Sequence, residues 1–143
     1  MTEAERTHAV YMLRHYHESY EKLANIARRL NEIDGELYNI KALRTDREAV
    51  QGGASGAEAR LDKLIDDKIK LQQNQRRITD DLTATERALQ TMRTFDAEVL
   101  TRYYCFGLSY EVIATQYNYS VRSIRRIKHR ALSTFSDIVH GNP

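Results

Sequence analysis

Hydrophobic residues recur at helical spacing along most of the chain, and this pattern predicts an all-α protein. From residue 61 onward, ten positions follow a strict alternation of three and four residues, and seven of them are apolar. The ten residues are Leu61, Leu64, Lys68, Leu71, Gln75, Ile78, Leu82, Thr85, Leu89 and Met92. This spacing is typical of a coiled-coil seam, in which Lys68 and Gln75 fix the register at some cost in stability.

A second helical pattern precedes this seam. Thr2 and Glu5 can form a capping box, and apolar residues then follow at spacings of three or four or their multiples. They are Tyr16, Tyr20, Leu23, Ala27, Leu30, Leu37 and Ile40. Asp34-Gly35 is expected to kink or fray this helix, and the glycine-rich residues 51–56 predict a flexible connection. Together the patterns predict a long helical hairpin over residues 1–93, restarting near residue 83 at a capping box of Thr83 and Glu86.

The stretch 109–132 predicts two short helices joined by a tight turn. Ser109 and Ser120 are each placed to cap a helix through the side-chain hydroxyl. Asn118 lies between the helices and tolerates the left-handed conformation that such a turn requires. The pairs that can form hydrophobic staples are Leu108 with Ile113, and Tyr119 with Ile124. The pattern therefore predicts a helix-turn-helix.

The second of these helices has one apolar and one basic face. Ile124, Ile127 and Ala131 share a stripe, and basic residues point away from it. Between Tyr119 and Phe135 the chain holds five Lys or Arg and no Asp or Glu, namely Arg122, Arg125, Arg126, Lys128 and Arg130. A solvated helix usually mixes charges of both signs, so an unmixed face indicates a polyanion. A basic helix without such a partner is the alternative, but the capped turn before it favours DNA.

The segment from Phe95 to Phe135 resembles region four of bacterial sigma factors, and more closely the sigma-like helix-turn-helix of phage late-gene transcription regulators. The matching residues are Leu100, Arg102, Tyr103, Tyr104, Gly107, Leu108, Ser109, Ile113, Ala114, Ser120, Ile124, Ile127, Ala131 and Leu132. The resemblance departs at Asn118, where glycine is usual, and at Arg122, where an acidic residue is common. It implies a DNA-binding domain over residues 94–143 and activation of phage late genes in the bacterial cytoplasm. A contact with host RNA polymerase is left open.

The side chains of this helix can be divided into predicted contacts with DNA bases and predicted contacts with DNA phosphates. Arginine can bond guanine O6 and N7 together, so the predicted base contacts are Arg122, Ser123 and Arg126. Phosphate contacts supply affinity without sequence information, and they are assigned to Ser120, Arg125, Lys128 and Arg130. Double-stranded DNA is therefore the predicted partner.

A lone two-helix hairpin buries little surface for its length, so a homodimer through the N-terminal helices is predicted. A dimer also suits a small helix-turn-helix that reads adjacent half-sites. Three alternatives remain for the whole chain or its hairpin. The hairpin can be a spacer only, the protein can be a phage small terminase subunit on packaging-site DNA, or it can be a coiled-coil adaptor whose basic helix binds an acidic protein.

Composition narrows the class of protein further. The 143 residues contain neither an apolar stretch that could span a membrane nor a signal peptide pattern. The single cysteine, Cys105, is expected to be a packed thiol. No two of the five histidines are spaced i,i+4, and the chain has no glycine-rich phosphate loop or nucleophile elbow. The sequence therefore predicts neither an enzyme nor a bound metal or cofactor.

Overall fold

The computed structural model describes residues 1–46 and 54–143, with side chains for residues 1–43 and 56–143. All regular structure in this part of the chain is helical, which confirms the all-α class. The elements are α1 (Glu3–Arg14), α2 (Tyr16–Asp46), α3 (Ala54–Thr91), α4 (Thr94–Leu100), a π-helical turn (Thr101–Cys105), α5 (Tyr110–Tyr117) and α6 (Val121–Val139). Residues 51–53 of the predicted flexible connection lie outside the described residues.

The chain divides into two compact units. Unit 1 comprises residues 1–20 and 80–143, and unit 2 comprises residues 21–79. This division differs from the predicted boundary after residue 93. The physical reason is that α1 and the end of α3 contribute core residues to the same cluster as α6.

The main core of unit 1 is built from both ends of the chain. Its buried residues are Ala9, Met12 and Leu13 of α1, Ala88 and Met92 of α3, Leu100, Tyr104, and Ala131, Leu132 and Phe135 of α6. At the edge of this core the Sγ of Cys105 donates to the carbonyl of Leu13 at 3.3 Å. Burial raises the pKa of the Cys105 thiol to about 11. The structure therefore agrees with the prediction of a packed thiol.

Helix α1 begins as predicted but ends early. The Oγ1 of Thr2 accepts from the N–H of Glu5 at 3.1 Å, so the N-cap is confirmed. The predicted continuous helix is nevertheless interrupted at His15, whose ψ of 7° lies outside the α-helical region. The carbonyl of His15 then accepts from the N–H and the hydroxyl of Ser19 at 2.9 and 2.8 Å, in the first turn of α2.

Two other sequence predictions about helix breaks are wrong. Helix α2 runs without interruption from Tyr16 to Asp46, through Asp34 and Gly35. Helix α3 runs without interruption from Ala54 to Thr91, so no helix restarts at Thr83. The carboxylate of Glu86 does not complete a capping box, because it accepts from the hydroxyls of Tyr16 and Tyr20 of α2. These bonds link α2 to α3 within unit 1.

Unit 2 is formed by residues 21–46 of α2 and 54–79 of α3, which we call the unit 2 helix pair. Lys68 bonds Asp34 at 2.7 Å and Arg60 approaches Glu36 to 3.7 Å, so the two helices run antiparallel. Each helix carries a line of buried or half-buried residues at alternating spacings of three and four. They are Leu23, Ile26, Leu30, Ile33, Leu37 and Ile40 on α2, and Leu61, Leu64, Lys68, Leu71, Gln75 and Ile78 on α3. Residues of the predicted seam are thus already shielded within a single chain.

Candidate nucleic-acid interface

The chain enters α5 through a glycine and a serine. The π-helical turn ends at Cys105, and Gly107 follows with a φ of 68°, a conformation that glycine adopts without steric cost. The Oγ of Ser109 then accepts from the N–H of Val112 at 3.3 Å and caps α5, as predicted. Leu108 and Ile113 lie in the same apolar cluster, which also holds Val99 of α4.

The turn between α5 and α6 is also built as the sequence predicts. Asn118 has φ 57° and ψ 41°, the left-handed conformation. The N–H of Tyr119 donates to the carbonyl of Ala114 at 2.9 Å, and that of Asn118 to Thr115 at 3.4 Å, which is the Schellman pattern of a helix end. The Oγ of Ser120 accepts from the N–H of Ser123 at 3.1 Å and caps α6.

Helix α6 packs against α5 through its apolar side. Ile124 and Ile127 are buried with Ile113 and Ala114, and residues 121–136 of α6 contain no Asp or Glu. Tyr119, predicted as a staple residue, is half exposed, and its ring meets that of Phe95 edge-on at 5.2 Å. The basic side of α6 is thereby held outward by a core that spans both helices.

Three arginines form the exposed basic surface of α6. Arg122 and Arg126 lie one turn apart on the same face, and neither makes an ion pair within the described part of the chain. The guanidinium carbon of Arg125 lies 5.2 Å from the ring centroid of Tyr110. We call Arg122, Arg125 and Arg126 the α6 arginine surface. Their charges are available to an external anion because no carboxylate of the described chain neutralises them.

His129 extends the same face by one further turn. Burial lowers its pKa, and the positive charges of Lys128, Arg6 and Arg125 lower it further. A neutral His129 near pH 7 therefore adds no charge to the α6 arginine surface. The effect of Arg6 also indicates that α1 contributes positive potential to this part of unit 1.

The two serines at the start of α6 are bonded to each other. The hydroxyl of Ser120 donates to the hydroxyl of Ser123 at 2.9 Å, in addition to its role as a cap. Ser120 is exposed and Ser123 is half-buried. The assignments of Ser123 to a base and Ser120 to a phosphate remain predictions.

Lys128 does not belong to the exposed basic set. It is only 5% exposed, and its Nζ lies 5.0 Å from the ring centroid of Tyr103 and 5.7 Å from those of Tyr104 and Tyr110. The predicted phosphate contact of Lys128 is therefore corrected, because three tyrosine rings hold the ammonium group by cation-π attraction. One sequence signal was available, since Lys128 lies one turn after Ile124 on the flank of the buried stripe.

Arg130 is exposed, but its guanidinium is paired with a carboxylate of the same chain. Its Nη2 lies 3.1 Å from Oδ1 of Asp96, a carboxylate of α4 that is 6% exposed. The phosphate contact of Arg130 stays a prediction, and the structure adds a second role, because a buried carboxylate needs a charged partner. Asp96 is a structural residue that the sequence pattern did not single out.

Replacing Arg130 by alanine is expected to lower the free energy of unfolding by about 1 to 3 kcal/mol, because Asp96 would remain buried without its partner. Solvent screening of the half-exposed Arg130 keeps the loss below that of a fully buried pair. Urea unfolding followed by circular dichroism measures the change. Arg126→Ala is the matched control, and it should shift stability by less than about 0.5 kcal/mol. Equal stability of the two variants would contradict a structural role for Arg130.

Helix α1 adds a further basic residue, Arg14, which the sequence pattern places in the predicted hairpin. The guanidinium carbon of Arg14 lies 5.8 Å from the ring centroid of Tyr104. It borders a groove of about 500 Å³ that is also lined by Gly107, Leu108 and Ser109. Periodicity assigns Arg14 to a helix but does not reveal that this helix packs in unit 1.

Two classes of site are not found in the described part of the chain. No group of three or more histidine, cysteine or acidic side chains there is arranged to hold a metal ion. No helix in those residues has the length and apolar composition that crossing a membrane requires.

Comparison with known proteins gives no match: no family model, no curated protein and no solved structure matches this chain.

Proposed function

We propose that the chain is a sequence-specific duplex-DNA-binding transcription regulator in which α5 and α6 act as a helix-turn-helix. The observation that carries the proposal is the two-sided character of α6. Its inner side is apolar, its outer side presents Arg122, Arg125 and Arg126, and residues 120–135 contain no acidic group. A recognition helix uses its N-terminal residues to reach base edges in the major groove, and these arginines lie in that half of α6.

The contacts of the arginines support a division of roles. Arg122 and Arg126 share the central outward stripe and have no partner in the described chain, so we assign them to bases, with Ser123 beside them. Arg125 lies on the flank of that stripe and is held over Tyr110, so we assign it to a phosphate together with Ser120. Lys128 is left out of the interface because it is buried, and Arg130 is left out because Asp96 already neutralises its charge.

The regulatory role rests on the resemblance of residues 95–135 to sigma region four and to phage late-gene regulators. A protein of that kind acts at promoters, and we propose host RNA polymerase as a second partner there. Assembly as a homodimer through the N-terminal helices would place two copies of α6 on adjacent half-sites. Binding of both half-sites by one dimer would raise affinity without additional base contacts.

The decisive experiment measures binding of the full chain to duplexes selected from a random pool. If each of the three arginines displaces about one condensed counterion, whether it enters the groove or meets a phosphate, the slope of log affinity against log salt should be about −3 per copy. Fluorescence anisotropy over a range of salt concentrations gives this slope. A salt-insensitive complex, or no enrichment of any duplex, would overturn the proposal.

The same material tests the alternative functions. A ring-sized assembly in sedimentation that binds one packaging-site duplex would indicate a small terminase subunit. An acidic protein that remains bound in the presence of excess unlabelled duplex would indicate an adaptor. A dimer whose binding is abolished by excess specific duplex supports the regulator.

A further inference from the structure

Unit 2 exposes large apolar side chains on α3 and on α2. Ile65 and Ile69, one turn apart on α3, are 40% and 47% exposed, and Tyr38 of α2 is 73% exposed. Only Ile26, Ile33 and Leu64 are buried among the described residues of unit 2. A helix pair that buries so few apolar side chains gains little stability of its own.

Three of the four exposed large apolar residues of unit 2 lie on one side of the unit 2 helix pair, and the fourth, Leu43, lies near the end of the described part of α2. The bond between Asp34 and Lys68 marks that side. Tyr38 lies one turn after Asp34, and Ile65 lies one turn before Lys68, so each shares a helix face with a member of the ion pair. We call the surface formed by Tyr38, Ile65 and Ile69 the apolar side.

The opposite side of the helix pair is different in character. There Arg29 lies 3.2 Å from Glu32 and 3.6 Å from Glu36, and Arg60 lies 3.7 Å from Glu36. This network suits an aqueous environment, in which mixed charges pair within the chain. The contrast between the two sides indicates that the apolar side is the better suited of the two to be covered by another protein surface.

We propose that the apolar side docks on a second copy of this chain, with α3 of one copy antiparallel to α3 of the other. This dimer rests on the proposed function, because its role would be to bring two copies of α6 to DNA. It also moves the dimer contact away from the predicted seam. Leu71 and Ile78 of that seam are half-buried within one chain and are therefore not free to meet a second copy.

The arrangement of charges along α3 favours a second copy over another protein. A two-fold axis near residue 67 sets Ile65 of each copy opposite Ile69 of the other. The same axis sets Asp62 opposite Gln72 and within one turn of Arg76 of the second copy. Neither Asp62 nor Arg76 makes an ion pair within the described part of the chain. In a parallel pairing, Asp62 of one chain would instead face Asp62 of the second chain, and the two like charges would repel each other. The surface is therefore self-complementary only when the helices are antiparallel.

The test compares two double variants of the full chain by sedimentation across a range of concentrations. Ile65→Lys with Ile69→Lys places charge on the apolar side, and Lys63→Glu with Lys70→Glu is the matched change on exposed positions of α3 that do not belong to it. The wild type and the Lys63/Lys70 variant should be dimers at micromolar concentration, and the Ile65/Ile69 variant should be monomeric with unchanged helix content. A monomeric wild type, or an Ile65/Ile69 variant that remains dimeric, would overturn the inference.

Disulfide trapping tests the antiparallel register and does not depend on a charged variant. In a Cys105→Ser background, a mixture of Ile65→Cys chains and Ile69→Cys chains should give a cross-linked dimer on mild oxidation. Each single variant alone should remain uncross-linked, because residues 65 of the two copies lie apart in the antiparallel arrangement. Efficient cross-linking of either variant with itself, or no cross-linking of the mixture, would contradict the arrangement.

DNA binding of the same variants separates the failure of this inference from failure of the proposed function. The Ile65/Ile69 variant should retain weak binding to one half-site and lose about 10²- to 10⁴-fold on a duplex with two half-sites. A wild-type dimer that binds no duplex would remove the proposed function and leave the dimer face intact. Undiminished binding of two half-sites by the monomeric variant would show that the dimer face plays no part in DNA binding.

Discussion

Replacing Leu13 by alanine is expected to destabilise unit 1 severely and to abolish duplex binding, although Leu13 lies far from α6 in the sequence. Leu13 is fully buried and shares a core with Tyr104, Leu132 and Phe135. A buried leucine replaced by alanine costs about 2 to 5 kcal/mol, whereas a small domain has only about 5 to 15 kcal/mol in total. Urea unfolding of the full chain and anisotropy with duplex DNA measure both effects.

Tyr11→Ala on the exposed side of the same helix is the control for Leu13→Ala. Tyr11 is half exposed, so its removal should leave the unfolding midpoint and the affinity for DNA nearly unchanged. If Leu13→Ala and Tyr11→Ala behaved alike, α1 would not be part of the core that supports α6.

A second large effect is expected for Arg126→Ala at the DNA. If Arg126 bonds a guanine, its loss should cost about 1 to 3 kcal/mol on the specific duplex and relax the preference at one base position. The fold should be unaffected, because Arg126 is exposed and without an ion-pair partner in the described chain. Anisotropy with the specific duplex and with single-position base variants measures the loss and its position.

Arg125→Ala provides the matched comparison, since it removes the same charge from the neighbouring position. It should weaken binding to specific and random duplexes alike, because a phosphate contact carries no sequence information. Equal losses on both kinds of duplex for both variants would mean that Arg126 does not read a base.

The parts of this molecule that the sequence predicted well are those whose interactions are local. The hydroxyls of Ser109 and Ser120 each bond an N–H three residues ahead, and Asn118 closes a pattern that reaches back only a few residues. Such short-range geometry depends on residue type and spacing, both of which are visible in the sequence. The all-α class follows from the same kind of information.

Two of the basic residues that the sequence assigns to phosphate, Lys128 and Arg130, have partners within the chain that are distant in the sequence. Lys128 is held by Tyr103 and Tyr110, and Arg130 by Asp96, which lies 34 residues away in the chain. Helical periodicity shows which way a side chain points but not which groups of another helix meet it there. For that reason, of the five basic residues of α6 that the sequence predicts at DNA, only the three of the α6 arginine surface are kept in the proposed interface.

The placement of α1 was missed for a related reason. Its apolar residues, including Met12 and Leu13, fit the helical period, and the sequence therefore joined α1 to the long helix that follows. The structure interrupts that helix at His15 and packs α1 on α6. Helical periodicity identifies the buried face of a helix but not the helix that packs against it. A helix that belongs to a hairpin and one that packs in another domain therefore show the same sequence pattern.

The construction of unit 1 from residues 1–20 and 80–143 has a consequence for the order of events on the ribosome. Leu13 leaves the ribosome about 120 residues before Phe135, its neighbour in the core, which at about 5 to 20 residues per second is a delay of roughly 6 to 24 seconds. The unit 2 helix pair is complete well before α6 has been made. If the proposed dimer forms through unit 2, two nascent chains on one messenger would be able to pair before either has completed α6, so that pairing would precede the proposed binding to DNA.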